Sequence, residues 1–170
     1  MKTKVLCIIG KSGSGKDTLA RMLLSGGSHH IVVSNTTRPI REGEVNGREH
    51  NFLQECNMTR RTKVAYTIYG GYQYWTLKSD FKEDKINIYI IDERGYYAMR
   101  KRFGDREFNI RVCYIRRKQK QDITIGRIRR DIGREKLDPE DIDYFVDNRS
   151  TLAYLQLKAA RINKKLSEWI

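Results

Sequence analysis

The sequence contains nothing close to the roughly 20 consecutive apolar residues that a membrane-crossing helix needs, so a soluble protein is expected. Cysteine is scarce. Cys7, Cys56 and Cys113 lie far apart and form neither a zinc-ligand spacing nor an even disulfide framework, which suits a reducing cytoplasm. There is no Cys/His metal cluster, no Gly-x-Ser-x-Gly nucleophile elbow, no internal repeat and no low-complexity linker. The one apolar run near the N-terminus ends in glycine with no small-residue cleavage site after it, so it reads as a buried strand and not as a secretion signal.

What is present is enough for one folded unit. The 170 residues, 39% of them hydrophobic, suit a single domain with one core and one active site. The formal net charge of +13 implies an anionic partner, either a nucleic-acid backbone or small phosphorylated substrates, and charge alone does not choose between them.

Lys4–Ile9 is a short apolar run closed by glycine, as in a fully buried parallel strand, and 16–24 reads as a helix stopped by Gly26 and Gly27. Further β-branched runs at 31–33, 86–91 and 110–115, with helical stretches between some of them, predict an α/β fold with a parallel sheet. Leu152, Leu155, Ala159, Ile162 and Leu166 recur at three- and four-residue spacing and predict an apolar stripe on a closing helix. Two stretches look like insertions on the sheet, a polar and aromatic one at 34–85 and a strongly basic one at 117–137.

The segment Gly10-Lys11-Ser12-Gly13-Ser14-Gly15-Lys16-Asp17-Thr18 has the spacing of a P-loop, with the strand before it and the helix after it that the motif requires. Such a loop turns backbone N–H groups around the phosphates of ATP. The helix N-terminus adds partial positive charge, and Lys16 neutralises the β- and γ-phosphates. The position after the lysine usually carries a hydroxyl for Mg²⁺; here it is Asp17, and the hydroxyl follows as Thr18, so both are candidate metal ligands.

The next segment runs Ser34-Asn-Thr-Thr-Arg38-Pro-Ile-Arg41-Glu-Gly43-Glu44-Val-Asn46-Gly47 and continues to His50-Asn-Phe52. Two arginines three residues apart form a planar donor fork for a phosphate dianion, which Arg38 and Arg41 would supply. The whole segment closely resembles the acceptor-site signature of the guanylate kinase family. That resemblance implies that Ser34 and His50 also touch the acceptor phosphate, with His50 where the family has tyrosine. It sets Tyr74 on a phosphate-binding tyrosine and Thr76 on a base-reading serine. Trp75 stands where the family has glycine, close to the expected pocket, and the family's guanine-reading glutamate falls near Val64 or Ala65.

The run Ile88-Tyr-Ile-Ile91 ends in Asp92 and Glu93, the arrangement of a strand whose acid faces magnesium and its waters. Asp92 also matches a base-reading aspartate of the family, and both roles stay open for it. Between Arg116 and Arg134 the chain resembles a short nucleoside monophosphate kinase lid, with Arg127, Arg130 and Arg134 on one face of a helix, aimed at the transferring phosphoryl group. Asp143 to Asn148 resembles the stretch beside the ATP base.

The resemblance covers nearly the whole chain and is most specific at 10–18 and 34–52. It implies a P-loop NTPase fold with a core of 1–33, 86–116 and 138–170, an acceptor-nucleotide insertion at 34–85 and a lid at 117–137. The implied activity is Mg²⁺- and ATP-dependent phosphorylation of a (deoxy)nucleoside monophosphate, GMP or dGMP first. Two rivals are a guanylate kinase-like module that binds proteins without catalysis, and a P-loop enzyme acting on nucleic acid. The intact Lys16 argues against the first, and the lack of aromatic-rich RNA motifs against the second.

Overall fold

A computed structural model describes residues 2–24, 27–57, 59, 62–117, 131–148 and 151–169. Five parallel strands form the main sheet in the order β2-β7-β1-β8-β9: β1 (Thr3–Ile9), β2 (His29–Val32), β7 (Ile86–Ile90), β8 (Phe108–Arg116) and β9 (Tyr144–Asp147). Helix α1 (Lys16–Leu23) follows β1, α2 (Glu93–Glu107) follows β7, and α3 (Leu152–Ser167) closes the chain. Among the described residues no helix is long and apolar enough to cross a membrane.

The near-continuous apolar run of β1 is explained by burial on both faces. Leu6 and Ile8 point into a cluster with Leu19 and Leu23 of α1 and Leu155, Ile162 and Leu166 of α3. Val5, Cys7 and Ile9 point the other way, onto Tyr96 and Met99 of α2 and Val112 of β8. Each such side chain contributes about 1.5–3 kcal/mol on burial, so truncating Leu6 or Ile8 to alanine costs on the order of 2–5 kcal/mol. The closing stripe holds at Leu155, Ala159, Ile162 and Leu166, but Leu152 is 60% exposed. As the first residue after the Thr151 N-cap, whose side chain accepts from the Tyr154 N–H, Leu152 precedes the turn that meets the sheet.

Strands β3 (Asn35–Thr36), β4 (Asn51–Phe52), β5 (Lys63–Tyr69) and β6 (Tyr72–Leu77) make a second sheet in the order β4-β3-β6-β5, mixed in direction. It is continuous with the core through Val64, Ala65 and Phe81, which join the α2 face of the main sheet. In the main sheet β1 lies between β7 and β8; the crossover after β1 runs one way, to β2, and the crossover after β7 runs the other way, to β8. In open α/β sheets ligands bind beyond the carboxyl ends of strands at such a switch point. Gly10 follows β1 and Asp92 follows β7, and the Ile91 N–H donates to the Ile8 carbonyl at 3.2 Å, so the two strand ends carry both motifs to one place.

Candidate active site

A cavity of about 480 Å³ opens at this switch point, bounded by the phosphate loop, the ends of β1 and β7, and the second sheet. The loop's shape is set by glycine. Gly15 has φ +100° and a Cβ there would meet the Asn148 amide at 2.7 Å, while a Cβ on Gly10 would meet the Ile115 carbonyl at 2.2 Å. Lys16 Nζ donates to the carbonyls of Gly10 (2.8 Å) and Lys11 (2.9 Å). Burial and then the charge of Arg134 bring the Lys16 ammonium down to a pKa of about 8.

Across the cavity, Arg38 is only 6% exposed. Its Nη2 donates to Glu44 Oε1 at 2.8 Å and its Nη1 to the Pro39 carbonyl at 2.7 Å; the guanidinium lies 5.2 Å from the centre of the Phe52 ring. Glu44 Oε2 accepts from the Arg41 N–H at 2.8 Å, so one carboxylate fixes both members of the fork. Burial opposes the Glu44 charge, but the hydrogen bonds from Arg38 and Arg41 outweigh it and hold the carboxyl below its ordinary range. His50 Nδ1 is 2.8 Å from Ser34 Oγ, and its ring meets Tyr74 edge-on at 5.6 Å. Burial first, and Arg38 second, keep its imidazole below the usual histidine pKa.

Gly10, Ser12, Lys16, Asp17, Ser34, Arg38, Arg41, His50, Tyr74, Asp92 and Arg134 therefore line one cavity. Other expected residues lie elsewhere. Lys11, Gly13, Ser14 and Gly15 complete the loop without lining the cavity, and Thr18 is exposed on α1. Asn148, expected beside the ATP base, turns its amide onto the Ser14 carbonyl at 2.9 Å and braces the loop from behind. Thr76, expected to read the acceptor base, is fully buried with its hydroxyl 3.1 Å from that of Tyr89, and Tyr89 takes the place in the wall. Trp75, expected near the pocket, points to the opposite side of β6 from Tyr74, 2% exposed beneath the Lys63 ammonium. Asp92 lines the cavity and also N-caps α2, accepting from the Gly95 N–H at 2.7 Å. Arg127 and Arg130 lie outside the described residues.

Sequence reasoning passed over Glu44 and Glu49, although both fall within the acceptor motif. Glu49 Oε1 meets Arg21 of α1 at 2.8 Å, so a residue on the helix after the phosphate loop touches the acceptor segment. It also passed over Tyr66, Thr67 and Tyr69 of β5, whose strand carried no recognised signal, and Tyr89, which lies in the recognised run at 86–91 but was given no role.

The guanylate kinase family model matches residues 2–138. The chain belongs to the guanylate kinase family. The guanylate kinase of Porphyromonas gingivalis is 36% identical over 119 residues, covering 64% of this chain and 63% of that protein. That of Helicobacter hepaticus is 33% identical over 114 residues, covering 61% and 56%. That of Lactobacillus acidophilus is 29% identical over 167 residues, covering 86% and 81%. The alignments with the first two thus span little more than half to under two thirds of those proteins' length. The crystal structure of guanylate kinase from Anaplasma phagocytophilum superposes with a TM-score of 0.64 at 18% identity, over 98% of this chain and 86% of that one, which establishes the shared fold. Membership of the guanylate kinase family makes this a P-loop kinase fold, with the phosphate loop and the arginine fork on facing walls of one cavity.

Proposed function

We propose that the chain transfers the γ-phosphoryl group of ATP to a (deoxy)nucleoside monophosphate, with GMP or dGMP the first acceptors to consider. The observation that carries this reading is that Lys16 and the Arg38–Arg41 fork, each suited to a phosphate group, line the same cavity. Its volume of about 480 Å³ suits small phosphorylated ligands better than a polymer backbone. In this reading residues 34–85 hold the acceptor, 117–137 act as a lid and the remainder is the catalytic core. The protein would work in the cytoplasm.

The donor end consists of loop N–H groups and Lys16. The acceptor end consists of Arg38 and Arg41, oriented by Glu44, with Ser34, His50 and Tyr74 beside them. Phosphoryl transfer asks little covalent chemistry of the protein, so these groups act by aligning the two phosphates and stabilising transition-state charge. For Mg²⁺ the donor set fits. Among the described residues no three ligating side chains cluster, but magnesium at a polyphosphate needs only one or two carboxylates besides phosphate oxygens and water. Asp17 and Asp92, which both line the cavity, would hold it, whereas Thr18 is not among the lining residues. Bound there, the ion supplies charge neutralisation between phosphate oxygens.

The test is a coupled ADP-release assay with ATP, Mg²⁺ and a panel of ribo- and deoxyribo-monophosphates. ADP release that depends on an added monophosphate is expected, and Lys16→Ala should lower it by about 10²-fold or more. Acceptor-independent release would favour an ATPase, no release a binding module, and near-normal turnover by folded Lys16→Ala would remove the kinase reading.

A further inference from the structure

Resting on that kinase reading, we propose that Glu93 is a positioning residue for Arg134, holding its guanidinium across the mouth of the phosphate loop before any nucleotide arrives. The pair is inside the protein: the side chains of Arg134 and Glu93 are 14% and 7% exposed. Arg134 Nη2 and Nε both donate to Glu93 Oε2, at 2.7 and 2.9 Å. Its remaining terminal nitrogen, Nη1, donates to the Gly10 carbonyl at 3.1 Å, the same oxygen that receives Lys16 Nζ at 2.8 Å. Two cations thus converge on one loop carbonyl. Their mutual repulsion contributes to the low pKa of Lys16 and would drive a flexible arginine away.

Glu93 opposes that repulsion from a rigid position. It is the first residue of α2, directly after the Asp92 cap, where the helix N-terminus favours a carboxylate. Both anchors of Arg134, Glu93 and Gly10, belong to the core at the ends of β7 and β1. A second observation identifies what the free side of Nη1 faces. Asp131 Oδ1 lies 3.3 Å from Nη1 and accepts from the Ser12 N–H, also at 3.3 Å. A carboxylate oxygen therefore already sits between a phosphate-loop N–H and Arg134, in a position suited to an anionic oxygen of a polyphosphate. Displacing Asp131 by a phosphate oxygen leaves the Glu93 bonds intact and gives Nη1 a new acceptor.

The experiment compares Glu93→Gln, Arg134→Met and the double variant with the wild-type chain, measuring kcat, acceptor KM and the Kd of a fluorescent ATP analogue, with circular dichroism as the check of folding. Each single variant should lose about 10–100-fold in kcat, as removal of an orienting partner commonly does. The double variant should be no worse than Arg134→Met, the acceptor KM should stay within about twofold, and both singles should weaken the analogue by the same factor. Breaking a buried pair can unfold a protein, whereas removing both members is better tolerated. A folded double variant with wild-type kcat would show the pair to be purely structural and would overturn the proposal. So would a Glu93→Gln protein with unchanged kcat and Kd beside an impaired Arg134→Met. If the wild-type chain releases no ADP, the kinase reading fails by itself and the binding arm still decides: equal weakening in both singles upholds the role of Glu93, and an unaffected Glu93→Gln removes it.

Discussion

Burial and the charge of Arg134 oppose the Lys16 ammonium and bring its pKa down to about 8, which makes its role testable by pH. The sign follows from the charge it must carry: below pH 8 the ammonium is present and can meet a polyphosphate, and the charge is lost as pH rises through that value. A bound polyphosphate stabilises the ammonium, so the loss belongs to the free enzyme and appears in kcat/KM for ATP but not in kcat. With saturating acceptor, kcat/KM for ATP should fall about tenfold per pH unit above pH 8, while kcat stays level to about pH 9. In Lys16→Arg the same fall should be absent whatever the absolute rate, because a guanidinium keeps its proton. A wild-type profile that stays flat to about pH 9.5 would mean that Lys16 is not the titrating group. Other residue roles have a structural origin that single-letter spacing hides. The polar atoms of Asn148 and Thr76 are taken up by the backbone carbonyl of Ser14 and the phenol of Tyr89.

Among the elements, the β5–β6 hairpin shows how a turn sets a binding wall. Its strands pair from Lys63 opposite Leu77 to Tyr69 opposite Tyr72, and Gly70 and Gly71 close it with φ of +59° and +82°. Two successive positive φ values define the tight hairpin turn that glycine and asparagine accept and β-branched residues resist. No atom lies within 4 Å of a Cβ built on either glycine, so substitution there strains only the backbone. Replacing both by valine should cost about 2–4 kcal/mol in urea unfolding and raise the acceptor KM, since the arms carry Tyr69 and Tyr74 to the cavity. Gly70→Asn should be close to neutral in both. Lost stability with an unchanged acceptor KM would show that the turn does not set the wall. The hairpin's chemistry was present in the sequence as Gly-Gly between aromatic and β-branched runs, but a register shift between Lys63 and Ala65 interrupts its alternation. Strands β3 and β4 have two residues each and exist only through long-range pairing, so nothing local announces them. Strands β1, β7 and β8 were legible as apolar and β-branched runs, unbroken in β1 and interrupted by Asn87 in β7 and by Asn109 and Arg111 in β8.

For the whole molecule, the legible part of the site is the part fixed by short motifs, namely the phosphate loop and the arginine fork, which lie on opposite sides of the cavity. The base-facing part is assembled from β5, β6 and the end of β7, which meet only in the folded chain, and here the sequence expectation about Trp75 is replaced. The indole is buried on the far face of β6, so it neither fills the pocket nor stacks on a base. What decides base selectivity is therefore the supply of hydrogen-bond acceptors. Ala65 lines the cavity near the position where the family resemblance leads one to expect a glutamate, and the side chains around it are Thr67 and Tyr69 of β5 with Tyr89 and Ile90 of β7, the Tyr66 phenol lying on the Trp75 face against Gln73. Asp92 is the carboxylate at the end of β7, and one of its oxygens is committed to the Gly95 N–H. A wall of phenols, a threonine and apolar side chains distinguishes bases chiefly by shape. Sites that hydrogen-bond a substrate group reject analogues lacking it by roughly 10⁴-fold or more, whereas apolar fit gives only about 10–200-fold. On these grounds kcat/KM for dGMP, dAMP, dTMP and dCMP, measured at one ATP and Mg²⁺ concentration, should differ within that lower range. Introducing a carboxylate by Ala65→Glu should then raise the preference for dGMP over dAMP by lowering turnover of the latter, because guanine alone presents adjacent N–H groups to an acceptor. Turnover of dGMP with the other three undetectable in the wild-type chain would show that Asp92 or a tyrosine hydroxyl reads guanine unaided, and would end the argument for shape-based selection.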